Sequence, residues 1–163
     1  MGNFDIPPQE FAERRQKAID DARQRGLAGL LVWSRGGSTV DYYGDVLYLT
    51  NHHSPFPHNS ETTQWSSRSF SAFILPVDDD PTLIVDLPDY PEDQIFVEDI
   101  RSTLRVAETT GEVLKEKKLD DAKLGLVGRE CFLCRSYELM RKTVGHSLRL
   151  EPADDILETL RMV

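Results

Sequence analysis

Ser69-Phe70-Ser71-Ala72-Phe73-Ile74-Leu75-Pro76-Val77 and Thr82-Leu83-Ile84-Val85-Asp86-Leu87 are two apolar runs rich in β-forming residues, joined by Asp78-Asp79-Asp80-Pro81. Two such runs around a short polar segment predict a β-hairpin. The hairpin lies mid-chain, and its neighbours are read outward from it. Upstream, Pro7 and Pro8 open a helix in which Phe11, Ala18, Ile19 and Ala22 share a face, and Gly26 is placed to stop it. Residues 27–33 form a nearly continuous apolar run, the pattern of a buried strand. A turn at Arg35-Gly36-Gly37-Ser38, a short helix over 40–44 and a second strand over 46–50 follow. Residues 51–67 are the longest polar, irregular stretch and carry His52, His53 and His58.

Downstream, residues 88–94 read as an acidic loop, and 95–106 as holding a short strand. Thr109 and Glu112 fit a capping box that starts a helix running to residue 118. A strand over 123–127 precedes a helix over 134–144, with Tyr137, Met140 and Val144 turned inward and Gly145 as its stop. A short strand over 147–150 leads to a last helix. Asp154 or Asp155 caps that helix, and Ile156, Leu157, Leu160 and Val163 share one face. The order is helix, strands with a hairpin, then alternating helix and strand. It predicts an α/β fold: a mixed β-sheet of about five or six strands with helices on both faces. The apolar stripe runs to the last residue with no Gly, Asn or Pro to end it. The chain is therefore expected to be one domain, 1–163, with further protein after it.

The chain has 163 residues, 39% hydrophobic and 29% charged, which suits one globular domain. Its net charge of −9 with scattered Lys and Arg argues against a nucleic-acid surface. The start, Met1-Gly2-Asn3-Phe4-Asp5-Ile6-Pro7-Pro8, is acidic and proline-broken, unlike a signal peptide, and Ile6 spoils a myristoylation motif. No apolar run approaches the ~20 residues of a membrane span. The expected compartment is the cytoplasm.

Four stretches resemble the N-terminal domain of the creatinase, prolidase and aminopeptidase P family. They are Phe11-Ala12-Glu13-Arg14-Arg15 with Gly26-Leu27-Ala28-Gly29-Leu30-Leu31-Val32, then Tyr42-Tyr43-Gly44-Asp45-Val46-Leu47-Tyr48-Leu49-Thr50, the hairpin from Phe70 to Leu87, and Ala153 to Arg161. The last is similar to the family's linking helix. The resemblance implies a catalytic domain beyond this chain that binds two divalent metal ions, whose hydroxide attacks a small substrate. It also implies a non-catalytic role for this domain in homodimerisation and in shaping the partner subunit's active-site mouth. The substrate would be a proline peptide or a creatine-like compound. A catalytically inactive interaction module of the same fold is the alternative.

The resemblance places the 51–67 loop and the strand after it near the partner's active site, so His52, His53, Trp65 and Arg68 are the candidate substrate contacts. Arg68 leads them, because a guanidinium holds a carboxylate through two hydrogen bonds. The competing readings are a solvated loop with one surface Arg, and a histidine metal site, whose spacing matches no defined zinc pattern. Cys131-Phe132-Leu133-Cys134 has redox-pair spacing but lacks the expected placement after the first strand, so packing as two half-buried thiols is favoured. Tyr42, Tyr43 and Tyr48 read as packing residues rather than a ligand cage. No dinucleotide loop, P-loop, calcium loop or nucleophile elbow is present in the sequence.

Overall fold

In a computed structural model the described residues are 6–36, 44–54, 60–86 and 92–162. They build a six-stranded mixed sheet between two layers of helices. In chain order the elements are α1 (Pro8–Gln24), β1 (Gly29–Arg35), α2 (Gly44–Thr50), β2 (Phe70–Pro76), β3 (Thr82–Asp86), β4 (Asp99–Thr103), α3 (Val106–Glu116), β5 (Lys123–Val127), α4 (Cys134–Val144), β6 (Arg149–Pro152) and α5 (Asp154–Arg161). Short helical turns occupy Glu92–Gln94 and Arg129–Cys131. The strand order is β4-β3-β2-β1-β5-β6, with β2 antiparallel to both neighbours and the remaining pairs parallel. The carboxyl ends of β1, β3, β4, β5 and β6 therefore share one edge with the start of β2.

Burial explains why β1 reads as a continuous apolar run. Leu31 and Trp33 face α3 and α4, while Leu30 and Val32 face α1, α2 and α5, so neither side of the strand meets water. β2 repeats this, with Ala72 and Ile74 on the first side and Phe73 and Leu75 on the second. Each buried Leu, Ile, Val or Phe among them contributes about 1.5–3 kcal/mol by leaving water. The predicted hairpin forms, with Ile74 opposite Thr82 and Ser71 opposite Val85.

Several boundaries differ from the sequence reading. Residues 46–50 are not a strand; they lie in α2, because Val46, Leu49 and Thr50 are buried at helical rather than alternating spacing. The Thr50 hydroxyl donates to the Val46 carbonyl at 2.7 Å. The helix is held from outside, since Arg14 and Arg15 on α1 donate to the carbonyls of Tyr48 and Leu49 at 3.1 and 2.9 Å. Those are groups that a helix end leaves without partners. Residues 40–43 of the predicted helix and 37–38 of the predicted turn fall outside the described residues.

α3 starts three residues before the predicted capping box, since Val106 and Ala107 pack in the core. Thr109 instead donates from its hydroxyl to Thr103 Oγ1 at 3.0 Å, and the helix stops at Glu116 rather than 118. On α4 the inward residues are Ser136, Met140 and Val144; Tyr137 is exposed, with Arg141 over its ring. The sixth strand is shifted to Arg149–Pro152. No side chain caps α5: Ala153 holds the N-cap position, and Asp154 accepts from the Gly128 N–H at 2.8 Å instead. Val163 lies outside the described residues.

No described helix is long and apolar enough to cross a membrane.

Candidate functional site

The edge where five strands present their carboxyl ends is where ligands gather in sheets of this kind. The segment from Ser60 to Ser69 lies across it. Ser66 extends the sheet by bridging to Arg105, with its N–H donating to the Leu104 carbonyl at 2.9 Å. The Ser66 hydroxyl donates to Glu108 at 2.5 Å, and Glu108 also pairs with Arg105 at 2.7 Å.

Trp65 and Arg68 meet in this segment. The Arg68 guanidinium carbon lies 3.9 Å from the Trp65 ring centroid, a stacked cation–π contact. The Trp65 indole N–H donates to Asp86 Oδ1 at 2.6 Å, and Arg68 Nη1 donates to the Ser60 carbonyl at 3.0 Å. Arg68 Nε is buried without a hydrogen-bond partner among the described residues. A planar guanidinium is the kind of group that donates two hydrogen bonds to a carboxylate.

His52 follows α2, is 4% exposed, and donates its backbone N–H to Thr50 Oγ1 at 3.1 Å. Burial, with the neighbouring His53 charge, pushes its pKa down to about 4, so His52 is neutral near pH 7. His53 is exposed. Ser54 then packs on Gly36 at the end of β1, where a Cβ on Gly36 would lie 2.7 Å from the Ser54 Cβ. The histidine segment thus reaches the same edge of the sheet. His58 lies outside the described residues. Among the described residues no three His, Cys, Asp or Glu side chains are grouped to hold a metal ion.

Trp33 is fully buried against Phe70 and Phe132, and Trp65 is half-buried. The paired thiols divide: Cys131 is buried and Cys134 is exposed, and neither is in a disulfide. Burial raises the Cys131 thiol to about 12, which leaves it inert. Tyr48 packs, as read from the sequence, with its hydroxyl donating to the Leu160 carbonyl at 3.3 Å; Tyr42 and Tyr43 lie outside the described residues.

Sequence reasoning missed the groups that hold the stack. Asp86 and Ser69 read as residues of the two hairpin strands and Ser67 as a loop serine, and nothing local signals that they converge. Ser67 and Ser69 have φ of 54° and 66°, the left-handed region that side chains disfavour. Glu61 lies in the same polar stretch as the histidines; in the fold it accepts from the Ser67 N–H at 2.9 Å and pairs with Arg135 at 2.7 Å.

The family profile described as Creatinase/Prolidase N-terminal domain matches residues 14–163. No curated protein matches the chain. Among solved structures, an Xaa-Pro dipeptidase from Bacillus anthracis superposes with a TM-score of 0.63 at 16% identity, over 94% of this chain and 36% of that one. The N-terminal domain of cytoplasmic peptidase PepQ from Mycobacterium tuberculosis gives 0.63 at 17% identity, over 91% of this chain and 98% of that one. An Xaa-Pro aminopeptidase from Streptococcus pyogenes gives 0.64 at 17% identity, over 94% and 98%. At such identities the likeness is one of fold. The chain spans little more than a third of the Bacillus anthracis dipeptidase.

Proposed function

This chain belongs to the creatinase/prolidase N-terminal domain family, and from that membership we propose that it is the non-catalytic front domain of an Xaa-Pro dipeptidase, aminopeptidase or creatinase-like hydrolase. The chemistry then belongs to a following domain with two divalent metal ions. Such ions supply a hydroxide near neutral pH. No ligand set for them exists among the described residues, so no hydrolytic step is assigned to this chain. Its part is contact and exclusion. It pairs with a second subunit and presents its loop edge to the partner's active-site mouth, in the cytoplasm.

One observation supports the substrate-facing role: the Arg68 guanidinium is stacked on Trp65 at the carboxyl edge of the sheet. Stacking fixes the plane of the cation before a ligand arrives, which lowers the ordering cost of binding. His52 and His53 reach the same edge but are secondary, since one is buried and neutral and the other is exposed.

The test uses the full-length protein encoded by the open frame that contains this chain. Arg68→Ala should lower kcat/KM on alanyl-proline by about tenfold or more, the worth of a charge-assisted hydrogen bond. An unchanged kcat/KM sinks the substrate contact. A frame without metal ligands after this domain, and no hydrolysis by the unaltered protein, would place it as an interaction module instead.

A further inference from the structure

Arg68 sits between two residues in disfavoured backbone conformations. Ser67 and Ser69 are both left-handed, with φ of 54° and 66°, and both are essentially unexposed. Left-handed backbone is unfavourable for an L side chain, and such residues persist only where the surroundings over-determine them. The Ser67 N–H donates to Glu61 Oε1 at 2.9 Å, and its hydroxyl is 2.8 Å from the Ser136 hydroxyl. The Ser69 N–H donates to Asp86 Oδ2 at 2.7 Å, and the Ser69 carbonyl accepts from the Gly36 N–H. The other Asp86 oxygen accepts from the Trp65 indole N–H at 2.6 Å. One carboxylate at the end of β3 thus grips both the ring beneath Arg68 and the backbone just after it.

We infer that Asp86, assisted by Glu61, is the positioning residue of this edge: the two carboxylates hold the Ser67-Arg68-Ser69 turn in its left-handed form and so fix Arg68 over the Trp65 ring. An acceptor-only side chain is required at 86, because both of its oxygens face N–H donors. Asparagine can satisfy one of them and turns its own NH₂ toward the other. Glutamine at 61 keeps an acceptor for Ser67 and is the milder change. Glycine at 69 adopts the same φ without penalty, so it removes part of the load that Asp86 carries. The kinetic consequence rests on the substrate-contact reading above; the structural consequence does not.

The structural arm is NMR on the 163-residue chain. The Arg68 side-chain protons, under the Trp65 ring, should resonate upfield of their free-chain positions. Asp86→Asn should return them most of the way, while the signals of Trp33 and the core methyls stay in place. Adding Ser69→Gly to Asp86→Asn should restore at least half of the upfield shift. Retention of the full shift in Asp86→Asn overturns the inference. Should that variant fail to fold, Trp65→Phe replaces it, since it removes the indole N–H and keeps a ring. Collapse of the Arg68 shift in Trp65→Phe then supports the clamp, and a shift retained over the phenyl ring overturns it.

The kinetic arm uses the full-length protein and alanyl-proline. Asp86→Asn should raise KM about tenfold with kcat within about twofold, and Ser69→Gly should recover part of that KM. Loss of activity in Arg68→Ala with none in Asp86→Asn strikes the clamp alone. No effect of Arg68→Ala strikes the substrate reading, and the NMR arm still decides the clamp.

Discussion

Gly128 shows how a single residue joins the two halves of the sheet. It follows β5 with φ of 87°, and a Cβ placed there would overlap the Trp33 carbonyl oxygen across the neighbouring strand. The backbone can turn toward Cys131 only where no side chain intervenes, and Cys131 then points its thiol at the Gly128 carbonyl, 3.3 Å away. Gly128→Ala meets both a left-handed backbone and a collision with a main-chain atom, neither of which a rotamer change relieves. It should cost about 3 kcal/mol or more, at the severe end for point changes. Denaturant titration of the variant beside the parent chain measures this, and a loss below about 1 kcal/mol would show that β5 shifts to accommodate the methyl. Gly26, also left-handed at φ 70°, has nothing within 4 Å of a built Cβ. Its role as the stop of α1 was legible because C-terminal glycines follow a periodic apolar stripe. Gly128 has no such context; the requirement comes from Trp33, far away in sequence.

Among the elements, those whose existence and type were read correctly are those whose pattern is set by burial on a regular surface: α1, β1 (two residues further on than read), the β2–β3 hairpin, β5 and α4, the last with Ser136 rather than Tyr137 turned inward. The errors fall where tertiary partners replace local signals. α2 has seven residues, too few for its helical period to stand out from a strand, and its end is satisfied by Arg14 and Arg15 from α1 rather than by its own cap. The stack of Trp65 and Arg68 was legible only as two residues in a polar loop, because the carboxylate that joins them arrives from β3. The same displacement of a cap occurs at α5. Asp154 looks like its N-cap, but its carboxylate accepts from the Gly128 N–H at 2.8 Å and pairs with Arg129 at 2.5 Å. Burial works against that charge, yet the hydrogen bonds from Arg129 and the two backbone N–H groups outweigh it and hold the carboxyl below its ordinary value. Asp154 therefore ties α5 to the turn after β5. Asp154→Ala should cost about 1–3 kcal/mol, because a partly buried N–H loses its acceptor. Asp155→Ala, at a more exposed pair with Arg25, should cost less than about 1 kcal/mol. Equal losses in the two variants, read by thermal melts, would show that Asp154 is only another surface ion pair.

For the whole molecule, acid should act through two separate windows. The unfolded chain titrates its histidines near pH 6.5, whereas buried His52 stays neutral down to about 4. Between those values the unfolded state binds a proton that the folded state refuses, so stability is fully present above about 6.5 and falls as the pH drops toward 4. The size of the window corresponds to about 3 kcal/mol. Below it the depressed carboxylates take over. Asp99 and Asp154 are held low despite their burial, Asp99 by Arg101 and Thr82 and Asp154 by Arg129 and the Gly128 and Arg129 N–H groups. Their contributions are present above about pH 4 and are lost as the pH falls through their folded values. Asp45 has the opposite sign. Burial raises its pKa although Arg161 pairs with it at 3.1 Å, so acid relieves rather than costs at that site. Asp45 and His52 act with opposite signs, so the histidine's share of the upper window is read from the difference between the parent chain and a His52 variant. Unfolding free energies measured from pH 7.5 to 4.5 should fall steadily in the parent chain and flatten in His52→Gln. The slope, not the absolute stability, is the readout, since glutamine at a buried site has its own cost. If the slope persists in His52→Gln, the proton uptake belongs elsewhere and His52 is not buried in the way its surroundings require.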